Sequence, residues 1–440
     1  MLTIKEDSRK VIEGDTFIAL KKTHDGHDYI LNAIQNGAKR VIVEKGLYDV
    51  ETIIVPDTHE YLVNYLKENY YEKIKNLKLI GMTGTNGKTT TCFLLYQALN
   101  KANKKCAYIG TIGFYLEEKV RDLNNTTPDI LEIYEMLLEC QEKGYEYVVM
   151  ETSSQALAMH RLDGIEFIYG IFSNLTQDHL DYHKTMGNYI QAKQILFQHV
   201  IDKTFVNIDD EYKDYFLQEN SITYGMNEGD YQLTEFNIHL NGSDFKINNN
   251  SYKTKLIGKH NLYNVLVVVA VLQELKIENI ESIVASLEPP IGRMDVVRKE
   301  DNLIIIDYAH TPDAVKKVIS SVKELHPEQI ITIIGCGGDR DKTKRPIMAT
   351  ISCQLSDYVI FTNDNPRTED PNRIIIDMLQ NLDSSNYEII LNRKKAIIKG
   401  IQKLRKNDIL LVLGKGHETY QIIGTTKYDF DDKKIVIDNI

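Results

Sequence analysis

Gly84-Thr85-Asn86-Gly87-Lys88-Thr89-Thr90 stands between two patterned stretches of the chain. Residues 77–82 before it are mostly apolar, which predicts a short strand, and residues 88–100 after it carry a helical pattern. A glycine-rich turn from strand to helix places backbone N–H groups and a helix N-terminus where phosphate oxygens can sit. Glycine permits the close approach and the positive φ that such a turn demands. Lys88 can reach terminal phosphates, and the Thr89 hydroxyl can face Mg²⁺. The usual phosphate-loop pattern has glycine where this chain has Met82. The loop and its flanks predict a nucleotide-binding α/β domain.

The surroundings extend that prediction. Residues 147–150 and 167–172 read as further strands, and strands alternating with helices signal a parallel sheet. Upstream, 17–20, 41–44 and 52–55 read as strands, 31–36 as helix, and 63–75 as a helix leading into a linker. Downstream, the Asn-rich segment 221–255 predicts antiparallel edge strands, and helix resumes at 261–275. Pro289-Pro290 followed by Gly292 marks a boundary. Beyond it, strands at 303–307, 330–334, 358–362, 389–391 and 409–413, with helix between them as at 312–325, predict a Rossmann-like domain. The expected division is 1–75, 76–291 and 292–440. At roughly 150 residues per domain, 440 residues allow about three.

The chain carries 52 Lys and Arg against 63 Asp and Glu, a net charge of −11. That argues against general nucleic-acid or anionic-membrane binding. Five cysteines without a CxxC spacing disfavour a disulfide framework or zinc site and fit a reducing cytoplasm. The opening MLTIKEDSRK lacks the apolar core of a secretory signal. No run is long enough to predict a membrane span.

Two more segments fall at strand C-termini, where α/β sheets bind ligands. One contains Glu151, Ser153 and Ser154; the other runs from Ser173 through Asp178 and His179 to His183. A carboxylate and an imidazole there could ligate Mg²⁺, or could be ordinary polar strand ends.

GTNGKTT resembles the ATP loop of the Mur ligase family, the ATP-dependent amino-acid ligases of peptidoglycan synthesis, and further motifs follow in that family's order. The resemblance implies three α/β domains: a small UDP-binding domain, a central ATPase-like domain with a parallel sheet, and a Rossmann-like C-terminal domain. Gly84, Thr85, Asn86, Gly87, Lys88, Thr89 and Thr90 would hold ATP. Glu151 and His179 would hold Mg²⁺ with Thr89. Lys193, in the YxxAK-like Tyr189–Lys193 segment, would be carbamylated and serve as a further ligand or orienter. Asn264 would meet the base, Arg293 (in GRMD, with Asp295 for the family's Glu) the phosphates, and Asp307 (in DYAHTP) the ribose. From the residues alone, Asp307 serves equally well as a strand-end cap.

Asp7-Ser8-Arg9 and the following Gly14-Asp15 resemble the opening of the UDP-binding domain, with Ser8 as the contact. Asn125-Thr126-Thr127-Pro128 resembles the loop that holds the muramoyl peptide, completed by Ser153 and Arg161. Glu6 and Met159 depart from the family's usual apolar residue and Gln. Simple turn chemistry is the competing reading of these hydroxyls.

The loops after three C-terminal strands contain Arg340, then Asp364-Asn365-Pro366-Arg367, then Gly414 and Glu418. A diamino-dicarboxylic acid needs a cationic fork for its distal carboxylate and an acceptor for its distal ammonium. Arg340 and Arg367 supply forks, and Glu418 pairs with an ammonium. DNPR resembles the version that adds meso-diaminopimelate. The implied enzyme is an acid–amino-acid ligase. It joins meso-diaminopimelate to the D-Glu carboxylate of UDP-MurNAc-L-Ala-D-Glu through an acyl phosphate, in the cytoplasm and as a monomer. Its alternatives are the same reaction with L-lysine or another amino acid, a paralogue acting on another carboxylate, and a non-catalytic ATP-binding scaffold. The scaffold is disfavoured because Lys88, Glu151, His179 and Lys193 are all present.

Overall fold

The structure, a computed structural model, describes residues 2–22 and 24–440. Contacts divide the chain into two compact units, Met1–Tyr224 with Glu228–Asp230, and Gly225–Asn227 with Tyr231–Ile440.

The first unit opens with a small parallel sheet of β1 (Ile4–Lys5), β2 (Thr16–Ile18), β3 (Arg40–Val43) and β4 (Glu51–Ile54), in that order. A helix over Thr58–Ile74 follows, longer than the sequence pattern indicates. The Asp57 side chain starts it by accepting from the backbone N–H groups of His59 and Glu60. Leu62 and Leu66 on its inner face are fully buried. They join one apolar cluster with Leu2, Ile18 and Ile42 on one side and Leu79, Ile133 and Val148 on the other. That continuous core is why the first 75 residues form no separate contact unit.

The unit's main sheet contains β5 (Lys78–Thr83), β6 (Cys106–Gly110), β7 (Gly113–Tyr115), β8 (Lys119–Arg121), β9 (Tyr147–Glu151), β10 (Phe167–Phe172), β11 (Val200–Asn207) and β12 (Ser221–Gly225). Their spatial order is β12-β11-β10-β5-β9-β6-β7-β8. From β12 to β6 all neighbours are parallel; β7 and β8 are antiparallel additions. β5 lies between β10 and β9, with Met82 beside Glu151 and Thr83 beside Phe172. The chain segments leaving these strands therefore emerge side by side. The antiparallel expectation for 221–255 is corrected at its start: β12 pairs in parallel with β11.

In the second unit, β13 (Tyr231–His239), β14 (Gly242–Ile247) and β15 (Asn250–Thr254) are antiparallel, as expected. The helix Lys259–Glu274 follows. A six-stranded sheet is built from β16 (Asp295–Lys299), β17 (Asn302–Asp307), β18 (Ile330–Ile334), β19 (Tyr358–Phe361), β20 (Tyr387–Ile389) and β21 (Ile409–Leu413). Its order is β16-β17-β21-β18-β19-β20. Only β16 runs antiparallel. β20 begins and ends two residues before the expected 389–391. A hairpin of β22 (Tyr420–Ile423) and β23 (Thr426–Asp429) completes the strands. Ile257, just before the helix, is buried in the same cluster as Leu303, Ile319 and Leu411.

Candidate active site

The phosphate loop is held open from the β10 side. The Thr85 N–H donates to the Asn174 carbonyl (2.8 Å) and the Asn86 N–H to the Asn174 side-chain oxygen (3.0 Å). The Ser173 hydroxyl and the Asn174 amide donate to the Asn86 carbonyl (2.8 and 3.0 Å). Gly84 has φ +148°, and a Cβ there would lie 2.0 Å from Ser173 Oγ. Only glycine lets the two segments approach this closely. The helix Lys88–Lys101 begins after Gly87, so the N-terminal N–H groups and dipole meet the loop. Lys88 Nζ donates to the carbonyls of Gly84 and Thr85, both at 2.9 Å.

Glu151 is fully buried at the end of β9. Its Oε2 accepts from the hydroxyls of Thr89 (2.9 Å) and Thr111 (3.1 Å). Its Oε1 accepts from the Tyr108 hydroxyl (2.5 Å) and the Thr111 N–H (2.9 Å). Thr89 and Glu151, predicted together, are thus in direct contact. Tyr108 and Thr111 were missed by sequence reading, which has no signal for them.

Lys193 is buried, with its ammonium 2.7 Å from the Gly84 carbonyl and 4.5 Å from the Tyr189 ring centroid. Burial pushes its pKa well down, neighbouring Lys88 pushes it further, and Asp178 opposes. No carboxylate pairs with it among the described residues. Tyr189 also bonds Thr85 through its hydroxyl (3.1 Å) and lies 6.3 Å, ring to ring, from His179. His179 has φ +53° and precedes the short helix Leu180–His183. Burial, then Lys88 and Lys193, lower its pKa against the pull of Asp178.

The predicted sugar-peptide residues fall in two groups. Thr127 and Ser153 adjoin Glu151: the Thr127 hydroxyl donates to the Glu151 carbonyl (2.8 Å) and accepts from the Ser153 N–H (2.9 Å). Thr126 bonds Thr111 through their hydroxyls at 3.1 Å. Ser8, Asn125 and Arg161 instead line a cleft of about 720 Å³ within the first unit. Arg161 donates to the Thr127 carbonyl (2.9 Å) and pairs with Asp129 (2.8 Å), so it joins the two groups. Glu6 lines the cleft beside Lys22 (2.7 Å), which also pairs with Asp129 (3.1 Å). Burial raises the Glu6 pKa against Lys22, with Asp129 adding to the rise.

In the second unit, Asn264 is buried and donates to Asn261 (3.0 Å) on the helix Lys259–Glu274. The Arg293 guanidinium stacks 4.7 Å from the Tyr308 ring centroid. Asp307 accepts from the backbone N–H groups of Met294 (2.7 Å) and Ala309 (2.8 Å), while Thr311 caps the helix that follows. Burial raises its pKa against Arg293 and those two amides.

The amino-acid loops are laced together. Gly338 N–H donates to the Asn365 carbonyl (2.9 Å), and Arg367 donates to the Gly338 carbonyl (2.8 Å). The Asp339 carboxylate takes the N–H and hydroxyl of Thr368. The Pro366 carbonyl sits where a Cβ on Gly338 would lie (1.9 Å). Gly414 has φ +112° and faces Asp364, whose carboxylate would be 2.7 Å from a Cβ there. Asn365 donates to Glu418 (2.8 Å). Arg340 is exposed. Sequence reading missed Arg345, fully buried, which pairs with Glu369 (2.8 Å) and Asp377 (2.7 Å). It also missed Lys415, which contacts Asn365 and Glu418.

The Mur ligase middle domain model matches residues 82–272, and the Mur ligase, glutamate ligase domain model matches 292–416. UDP-N-acetylmuramoyl-L-alanyl-D-glutamate–2,6-diaminopimelate ligase of Clostridium botulinum is 39% identical, covering 98% of this chain and 94% of its own. The chain belongs to the Mur ligase family. The Fusobacterium nucleatum ligase of the same name is 41% identical over 98% of this Mur ligase and 92% of its own length. A solved structure of a ligase bearing that name aligns with TM-score 0.72 at 32% identity, covering 99% of this chain and 94% of its own. Among the described residues of this Mur ligase, no helix is long and apolar enough to cross a membrane.

The donors suit a hard cation that shares its ligands with phosphates, as Mg²⁺ does. Among the described residues, no group of at least three His, Cys, Asp or Glu side chains could hold a metal ion. Thr89 and Glu151 supply oxygens beside the phosphate loop, and Lys193 is buried beside it with no paired carboxylate among the described residues.

Proposed function

We propose that this Mur ligase joins meso-diaminopimelate to the D-Glu carboxylate of UDP-MurNAc-L-Ala-D-Glu at the expense of ATP. The observation that carries the reading is the contact between the Thr127 hydroxyl and the Glu151 carbonyl. It ties the loop assigned to the peptide substrate to the strand end that faces the phosphate loop. The D-Glu carboxylate attacks the γ-phosphorus of ATP, ADP departs, and the amine of the amino acid then displaces phosphate from the acyl phosphate.

Each unit supplies its own groups. In the first, residues 84–90 cradle the phosphates, with Lys88 on the transferring group. Thr89, Glu151, His179 and Lys193 would hold Mg²⁺, which when bound neutralises charge on the phosphates and the carboxylate. A depressed pKa leaves more of Lys193 as free amine. That amine can add CO₂ and release a proton, converting a stranded cation into an anionic ligand. Ser8, Asn125, Thr126, Thr127, Ser153 and Arg161 would bind the nucleotide-sugar peptide. In the second unit, Asn264, Arg293 and Asp307 would serve ATP. Arg340, Asp364, Asn365, Pro366, Arg367, Gly414 and Glu418 would receive the amino acid. The three-part division at 75/76 and 291/292 is the functional one in this reading, and the enzyme works as a cytoplasmic monomer.

The test is phosphate release by the purified chain with ATP, Mg²⁺ and UDP-MurNAc-L-Ala-D-Glu across a panel of amino acids. Release should require meso-diaminopimelate. Equal rates with L-lysine overturn the specificity, and no release with any amino acid overturns the reaction.

A further inference from the structure

Lys415 has no role in the reaction as described, yet its side chain is fully buried (0% exposed) beside two residues assigned to the amino-acid pocket. Its ammonium donates to Glu418 Oε2 at 2.9 Å and to Asn365 Oδ1 at 3.1 Å. Asn365 closes the ring by donating to the same Glu418 oxygen at 2.8 Å, while its own oxygen also takes the Ile422 N–H at 2.9 Å. Both of these side-chain hydrogen bonds of Glu418 converge on Oε2. Its Oε1 accepts from no group among the described residues.

We infer that Lys415 is a positioning residue that decides which distal charge pattern the pocket accepts, an inference that rests on the ligase reading above. By occupying Oε2, Lys415 and Asn365 leave Oε1 as the one oxygen offered to a substrate ammonium. By its charge, Lys415 makes Glu418 half of a neutral pair; the buried Arg393, which also feels Glu418, is itself paired with Asp432. A substrate whose distal end is a bare ammonium meets no net attraction there and offers no carboxylate to Arg367, whose guanidinium then keeps the Gly338 carbonyl. A distal end bearing both ammonium and carboxylate places one on Oε1 and the other on the arginines, and is neutral like the pair it meets. Discrimination thus includes the loss of attraction for a lone cation as well as attraction for the carboxylate.

The experiment compares meso-diaminopimelate with L-lysine in the phosphate-release assay, using wild type, Lys415→Gln and Lys415→Arg. Lys415→Gln keeps a donor and removes the charge. It should lower the ratio of kcat/KM values by about tenfold, chiefly through a lower KM for L-lysine, with KM for ATP unchanged. Lys415→Arg should keep the wild-type ratio. The double variant Lys415→Met/Glu418→Gln restores neutrality and should recover the preference at reduced overall affinity; it decides the matter if Lys415→Gln does not fold. Loss of rate with both amino acids to the same extent, or a preference absent from the double variant, overturns the inference. An inactive wild type overturns the ligase reading and the inference with it, whereas an active wild type with an unchanged ratio in Lys415→Gln overturns the inference alone.

Discussion

Glu369→Gln separates the support of the amino-acid loops from the loops themselves. Glu369 Oε1 accepts from the Asp339 N–H (2.6 Å) and Arg345 (2.8 Å); Oε2 accepts from Arg345 (3.0 Å) and pairs with Lys342 (3.2 Å). Arg345 foremost, then the Asp339 amide and Lys342, hold the carboxyl at about 2, against an ordinary 4.5 and the opposing effect of burial. That gap corresponds to about 3 kcal/mol at neutral pH, an upper bound because the Lys342 arm is exposed and screened. A lowered carboxyl pKa stabilises above the unfolded value and loses its contribution as the pH falls. The benefit should therefore be complete above pH ~5 and gone by pH ~2. Urea unfolding of the full chain, wild type against Glu369→Gln, should show a stability difference of about 1–2 kcal/mol at pH 7, below that bound because the pair is screened, which shrinks steadily between those limits. Because Glu369 anchors Asp339 next to Arg340, KM for the amino acid should rise while KM for ATP does not. A difference that stays constant down to pH ~3 would refute the assignment of the pKa gap to Arg345.

Lys193→Ala should lose activity by about a hundredfold or more and be partly rescued by a short-chain carboxylate; full activity in the variant removes the carbamate. Arg367→Ala should raise KM for the amino acid while sparing ATP, and an unchanged amino-acid KM places that arginine outside the pocket. Gly84→Ala drives a Cβ into Ser173 Oγ at a positive φ, so ATP affinity measured by calorimetry should collapse while the chain stays folded. Retained affinity would mean the loop tolerates a wider opening.

Much of the site was legible where backbone geometry dictates residue type. The Gly84–Thr90 loop declares itself because only glycines allow that turn and that approach to Ser173. Glu151 and His179 stood out only as strand-end candidates, since a polar residue there is as often structural; the metal role came from the resemblance. The partners of Glu151 could not be read, since Tyr108 and Thr111 lie 43 and 40 residues away and meet it only through sheet order. β12 was read as antiparallel because alternation along a strand reports which face is buried and says nothing of its neighbour's direction. The first 75 residues looked separable because their linker is polar, but Leu62 and Leu66 on the other face of that helix carry them into the central core. Lys415 was hidden by its own composition: a lysine between two glycines reads as a solvated loop until burial is known.

The Thr127 hydroxyl has a consequence for which substitutions the strand end can bear. It braces the backbone on both sides of Thr152, from the Glu151 carbonyl to the Ser153 amide. Because Thr127 is fully buried, no solute reaches this oxygen, and only a substitution such as Thr127→Val removes the prop behind the Glu151 carboxylate. Such a change would disarm the enzyme from beneath the site while leaving every residue of the phosphate loop in place.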